Sequence, residues 1–256
     1  MNFKIGDFVT RNSYNNDLLF KIKSINNDIC ILEGVNIRLI ADSSVTDLKP
    51  SNEREDDSEF LNRIEDIKID RGDYFYLPGK ILHIDSDEDY LKRCMNYYKK
   101  SNILAKGILE KEENMSFKIN DYLEEYRPDI LVITGHDAYY KNMDKTNLDS
   151  YKNSIYFVNS INEARKYEKS HEKLIIIAGG CQSNYEALIK AGANFASSPR
   201  RVNIHALDPA IIASTLSLSE ISEDIDLKSV LEKTRYGSSG IGGIKTKGTM
   251  YIGYPR

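Results

Sequence analysis

Asp129-Ile-Leu-Val-Ile-Thr-Gly-His136-Asp137 and Lys173-Leu-Ile-Ile-Ile-Ala-Gly-Gly-Cys181 are the two stretches on which the fold turns. Each holds a run of four apolar, largely β-branched residues, which reads as a strand buried on both faces of a parallel sheet. Each run ends in a small-residue turn and one reactive side chain. Open α/β sheets bind ligands beyond the carboxyl ends of their strands, so the pattern sends a histidine and a cysteine to the same functional edge. Ser183-Asn-Tyr-Glu186 fits the S-x-x-E capping box and predicts a helix starting within two residues of the thiol. The positive end of such a helix favours thiolate, and a histidine in reach completes a nucleophile and base pair. The plainer alternative is that Cys181 is a small core hydrophobe and His136 a hydrogen-bonded rim residue. The glycine turns that precede both weigh against it.

A chain of 256 residues with 41% apolar content is large enough for one α/β domain and a small module. The net charge of −4 gives no sign of a nucleic-acid partner, and Arg200-Arg201 is too short for a basic patch. Cys30, Cys94 and Cys181 show neither disulfide nor zinc spacing, so no metal or cofactor is expected and a reducing compartment is. The N-terminal residues lack the apolar core of a signal peptide and no run reaches membrane-spanning length, which predicts a soluble cytoplasmic protein without membrane partners.

Residues 3–48 alternate short apolar runs with turn signals, with strands expected at Phe3–Thr10, Leu18–Ile25, Asp28–Glu33, Ile37–Ala41 and Ser44–Leu48. This reads as a small SH3-like β-barrel over residues 1–50, docking or structural. Residues 51–73 carry nine acidic against four basic side chains and read as an exposed acidic linker. Residues 74–256 alternate strands and helices, which predicts an α/β domain built on a doubly wound, mostly parallel sheet with helices on both faces. Strands are expected at Lys80–Asp85, Asn102–Glu110, Ile130–Thr134, Ser154–Val158, Leu174–Ala178, Asn194–Ser198, Val202–Ala206 and Thr249–Tyr254. Helices are expected at Asp87–Lys100, Ser116–Tyr126, Ile161–Lys169, Asn184–Ala191 and Pro209–Leu216.

Thr134-Gly-His-Asp-Ala138, Ala178-Gly-Gly-Cys-Gln-Ser183, Ala191-Gly-Ala-Asn-Phe-Ala-Ser-Ser-Pro199 and Ile204-His-Ala-Leu-Asp-Pro209 resemble the signature blocks of the YabG family. These are sporulation-specific cysteine proteases of endospore-forming bacteria, and the likeness runs over essentially the whole chain. It implies a peptidase that cleaves spore coat and cortex proteins after arginine in the mother cell, in association with the forming coat, with His136 and Cys181 as the catalytic pair. The layout also resembles the wider clostripain, gingipain, legumain and caspase group, which usually has glycine after its histidine. Here Asp137 follows, and its side chain must turn away from the substrate carbonyl or take a role of its own.

In the expected mechanism Cys181 thiolate attacks the scissile carbonyl, His136 protonates the leaving amine, and water hydrolyses the thioester. Backbone N–H groups of Cys181, Asp137 and Gly135 are the oxyanion donors. Arginine at P1 calls for a buried carboxylate that a guanidinium can fork onto. Asp85 and Asp208 flank the catalytic edge and are the S1 candidates, each with an ordinary alternative as a helix cap.

His205 is the competing base, should Cys181 sit on a nucleophile elbow as in amidotransferase-like hydrolases; the G-x-C-x-G form is only half matched. His83 reads as structural and His171 as solvated. A cysteine phosphatase is excluded because Ala187, not arginine, stands six residues after the cysteine. The glycine run Gly237–Thr246 lacks P-loop spacing and reads as a flexible loop. Arg54, Arg63 and Arg71 in the acidic linker are candidate self-processing sites. The other class of function is a non-catalytic coat-assembly protein in which Cys181 merely packs.

Overall fold

The computed structural model describes residues 3–62 and 74–254, so Arg63 and Arg71 lie outside the described residues. The N-terminal part is an antiparallel sheet of β1 (Phe8–Arg11), β2 (Phe20–Asn26), β3 (Ile29–Gly34), β4 (Ile40–Ser44) and β5 (Leu48–Pro50), ordered β4-β3-β2-β1-β5. The β2–β3 hairpin closes through Asn27-Asp28, with Asn27 in the left-handed region that such two-residue turns require. Val9, Phe20, Ile22, Cys30, Leu32 and Leu48 fill its core. The strand expected from Ile37 begins only at Ile40; residues 35–39 leave the sheet and run along the α/β part.

The second part comprises α1 (Ser58–Asn62), β6 (Phe75–Leu77), β7 (Ile81–Asp85), α2 (Glu88–Lys100), β8 (Ala105–Leu109), α3 (Glu112–Tyr126), β9 (Ile130–Thr134), α4 (Ser154–Tyr167), β10 (Ile175–Gly179), α5 (Tyr185–Ala191), β11 (Phe195–Ser197), α6 (Asp208–Ser217), α7 (Leu227–Glu232), β12 (Ile241–Gly243) and β13 (Tyr251–Gly253). The main sheet runs β8-β7-β9-β10-β11-β12, parallel except for the β12 edge. Alternate side chains of each strand serve opposite layers. Ile130, Val132, Ile175 and Ile177 pack with Cys94 and Tyr98 of α2 and Ile212 of α6; Leu131, Ile133 and Ile176 pack with Met115 of α3 and Phe157 of α4. The chain lays β8 on one side of β7 and β9 on the other. That reversal falls at the ends of β7 and β9, at Asp85 and Thr134, the position at which sheets of this kind bind ligands.

Four local expectations are corrected. Ile155-Tyr-Phe-Val158 looks β-prone, yet Ser154–Tyr167 is one helix, because Ser154, Phe157, Ser160, Ile161 and Ala164 form one buried stripe at helical spacing. Val202–Ala206 forms no strand beyond a single bridge, Ile37 to His205. Part of the glycine run is the edge strand β12, where a side chain at Gly243 would strike the Phe195 ring. The expected final strand does form, as β13, and pairs with β6 in a separate two-stranded sheet. The acidic segment is not uniformly exposed: Phe60 is buried, and Asp57 receives Arg93 Nε at 2.8 Å. Among the described residues no helix is long and apolar enough to cross a membrane.

Candidate active site

The site is built at the tips of β7, β9 and β10. Thr134 stands opposite both Asp85 and Gly179, so His136 and Cys181 each lie two residues past a shared register position. The turns approach closely at Gly180, where a Cβ would overlap the Gly135 carbonyl oxygen and lie 3.1 Å from the Asp137 amide nitrogen. Only glycine permits that approach.

His136 is held from several directions. Its Nε2 lies 3.0 Å from Asp87 Oδ2, its amide donates to Glu112 Oε1 at 2.9 Å, and its carbonyl accepts from Asn153 Nδ2 at 2.8 Å. The other ring nitrogen, Nδ1, is buried without a hydrogen-bond partner among the described residues. In the tautomer that carries its proton on Nε2, directed at the carboxylate, Nδ1 holds the lone pair. Asp87 also caps α2, accepting from the amides of Asp89 and Tyr90. Burial alone would raise its carboxyl, but hydrogen bonds with His136, Glu33 and the Tyr90 amide outweigh it and hold Asp87 below the ordinary range. Sequence reasoning saw Asp87 only as a helix start and missed it, with Glu112, as a partner of His136. The signal was Asp85-Ser-Asp87 at a strand end facing the histidine strand.

Glu33 of β3 completes this cluster; one ligand atom from each of Glu33, Asp87 and His136 falls within 4.8 Å of the others. Lys23 Nζ sits 2.9 Å from Glu33 Oε2. Burial and the hydrogen bond with Asp87 push Glu33 from its ordinary 4.5 up to about 8, against the pull of Lys23. A folded-state value above the unfolded one means that the folded chain binds the extra proton. Its stabilisation is complete below about pH 4.5 and is lost as pH rises through about 8. We therefore expect the melting temperature to fall between pH 6 and 9, and Glu33→Gln to flatten that fall.

Asp137 turns away from the cleft. It is buried, accepts from Ser183 Oγ at 2.8 Å and from the amides of Ala138 and Asn153 at 2.8 Å, and bonds Ser154 Oγ. It therefore staples the histidine turn to the cysteine turn. Cys181 has no solvent exposure, and its Sγ accepts from the Ile204 amide at 3.3 Å. Burial pushes the thiol up to about 12, the reverse of the depression expected from a helix terminus. The expected helix start also lies further on: α5 begins at Tyr185 with Asn184 as its cap, while Ser183 Oγ accepts from the Gly180 amide instead of closing a capping box.

The remaining candidates separate clearly. Asp85 is fully buried; Oδ2 meets Arg38 Nη1 at 2.6 Å and Thr134 Oγ1 at 2.7 Å, and Oδ1 accepts from the Asp87 amide at 3.0 Å. Burial would raise this carboxyl, but the Arg38 guanidinium holds it well below the ordinary range. Asp208 instead serves backbone amides, those of His205 at 2.9 Å and Arg235 at 2.8 Å, and burial raises it to about 6. His205 is pushed down to about 3 by burial, its Nδ1 accepts from the Leu207 amide at 3.2 Å, and its ring lies 4.4 Å from that of Phe60. It is a neutral ring tied to the backbone. His83 is buried between Tyr98 and Thr134, and His171 is exposed. Arg54 is exposed, with its guanidinium 4.8 Å from the Phe8 ring centre.

No solved structure matches the chain at a significant level. A curated relative, the sporulation-specific protease YabG of Bacillus subtilis (strain 168), is 43% identical over an alignment covering 100% of this chain and 99% of the relative. The family model described as YabG peptidase U57 matches residues 4–68 and 51–255. With a family match spanning nearly all its length and a full-length relative at this identity, the chain belongs to the YabG peptidase family.

Proposed function

We propose that this peptidase is a sporulation-specific cysteine endopeptidase that cuts after arginine, with Cys181 as nucleophile and His136 as general acid and base. The observation that carries the reading is the register Gly179 to Thr134, which sets two reactive side chains equally far past adjacent strand ends. The free Nδ1 of His136, with Asp87 behind Nε2, suits proton delivery to a leaving amine. Cys181 attacks the carbonyl, the thioester forms, and water releases the product. The Asp137 amide beside Gly180, with those of Gly135 and Cys181, is the donor set for the oxyanion. Of the two S1 candidates, Asp85 is favoured, because its carboxylate already accepts a guanidinium while both Asp208 oxygens serve amides. The strand order supports kinship with the caspase and clostripain type of sheet, and the N-terminal sheet suits an SH3-like docking module joined through the acidic linker. Spore coat and cortex proteins are the proposed substrates, and Arg54, Arg63 and Arg71 the proposed self-processing sites.

A tripeptidyl-arginine chloromethyl ketone tests this directly. A single adduct on Cys181, absent from Cys181→Ala and formed at least ~100-fold faster than with a glutamyl analogue, is expected for an S1 carboxylate. Equal labelling of Cys30 and Cys94, or none at all, would remove the peptidase reading.

A further inference from the structure

The N-terminal sheet reaches into this cleft with a built segment. Gly34, at the end of β3, allows a tight loop: a Cβ there would overlap the Ile37 carbonyl oxygen, and its amide donates to Leu39 O at 2.7 Å. Tyr90 Oη donates to the carbonyls of Gly34 and Ile37, and Arg93 Nη1 donates to Val35 O at 2.5 Å. Between these clamps, Asn36-Ile37-Arg38 lies antiparallel to Ile204-His205-Ala206. Arg38 N donates to Ile204 O at 3.2 Å, Ala206 N donates to Asn36 O at 3.4 Å, and Ile37 bridges His205.

The segment pairs with 204–206 through a single antiparallel bridge, a short form of the backbone pairing by which peptides are recognised. The anchored side chain is Arg38, which is completely buried. Its Nη1 meets Asp85 Oδ2 at 2.6 Å, its Nη2 donates to Ala206 O at 3.0 Å and approaches Cys94 Sγ at 3.6 Å, and Tyr90 lies alongside its guanidinium. Ile204 links this segment to the nucleophile: its carbonyl accepts from the Arg38 amide, and its own amide donates to Cys181 Sγ at 3.3 Å. An arginine therefore sits with its guanidinium on the proposed S1 carboxylate and its amide bonded to Ile204, the residue whose own amide meets the nucleophile.

We propose that Asn36–Arg38 is an intramolecular substrate mimic that occupies the P3–P1 positions and holds the full chain latent, a proposal that rests on the arginine-directed cysteine peptidase reading above. The segment is held as an inhibitor and not as a substrate because the chain reverses immediately after Arg38. Leu39 N donates to Ile37 O at 2.8 Å, a three-residue turn that folds the leaving side back into β4 instead of extending it along the cleft. On the same face, a Glu33 carboxylate oxygen lies within 4.8 Å of ligand atoms of Asp87 and His136, so one continuous stretch of barrel chain, 33–38, lies beside His136 and, through Ile204, beside Cys181.

The test compares purified full-length wild type, Arg38→Ala and Arg38→Lys on a fluorogenic arginyl amide and on the arginyl chloromethyl ketone. If the open form is about a tenth or less of the wild-type population, Arg38→Ala should raise kcat/KM and the labelling rate of Cys181 about tenfold or more, with Arg38→Lys in between. Equal rates in all three, with Cys181 labelled in each, would overturn the mimic and leave the peptidase reading intact. Failure to label Cys181 in any variant would overturn both.

Because Arg38→Ala strands Asp85 in the interior, a second measurement uses wild type alone. Hydrogen exchange before and after alkylation by the arginyl ketone should show the Arg38 and Leu39 amides losing protection. Unchanged protection in the alkylated enzyme would show that the ketone and the segment do not share a site, and would overturn the proposal.

Discussion

Cys181→Ala is expected to lose about five to six orders of magnitude in kcat for arginyl-amide hydrolysis, the loss typical when the nucleophile of a catalytic unit is removed. The accompanying structural change is small by comparison. Alanine leaves the Ile204 amide without its sulfur acceptor, worth about 1–2 kcal/mol for a buried donor, so the variant should melt only a few degrees below wild type. His136→Ala should cost about 10²–10⁴-fold, since it deletes proton transfer and spares the thiol. Activity assays beside melting curves separate these outcomes from misfolding. A Cys181→Ala protein that is well folded and still cleaves would return Cys181 to the role of a core side chain.

The largest stability effect is expected at Asp85. Asp85→Ala removes the carboxylate facing Arg38, Thr134 and the Asp87 amide, all in the interior. An uncompensated buried guanidinium typically costs about 3–5 kcal/mol, and Arg38 has no exposed surface through which water could replace the lost partner. Denaturant unfolding should report that loss. The double replacement Asp85→Leu with Arg38→Met should recover most of it, because removing both members of a buried pair is far less costly than removing one. If the single variant unfolds at the wild-type midpoint, the pair contributes little and the barrel segment is not fixed by it.

How far the chain could be read in advance depends on which forces act locally. β9 and β10 were legible because both of their faces are buried, which leaves uninterrupted Ile, Leu and Val in the sequence. The positions of Asp85, His136 and Cys181 at one edge were legible because β7, β9 and β10 are parallel and in register, whereas Asp208 was reached through an expected strand, Val202–Ala206, that does not form. Ser154–Val158 misled because its β-branched and aromatic residues say nothing of the tertiary stripe that makes it helical. β12 was hidden because its two glycines answer to neighbours, the Tyr185 and Phe195 side chains, that are distant in sequence. Arg38 carried no local signal: it stands in an expected strand of a small barrel, and its partner lies 47 residues away. The proton relation among Glu33, Asp87 and His136 was invisible for the same reason, since it joins three separate elements.

The acidic connection after β5 gives the Asn36–Arg38 contact a further property. Asp57 and Phe60 anchor that connection against Arg93 and His205, on the same wall that receives the barrel loop. While the chain is whole, the loop competes for the cleft at the high effective concentration of a tethered group, of millimolar order for a short connection. Scission at Arg54 would turn that contest into a meeting of two separate molecules, governed by their bulk concentration. The nicked protein should then become more active as it is diluted, whereas a peptidase that needs a second copy of itself would fade.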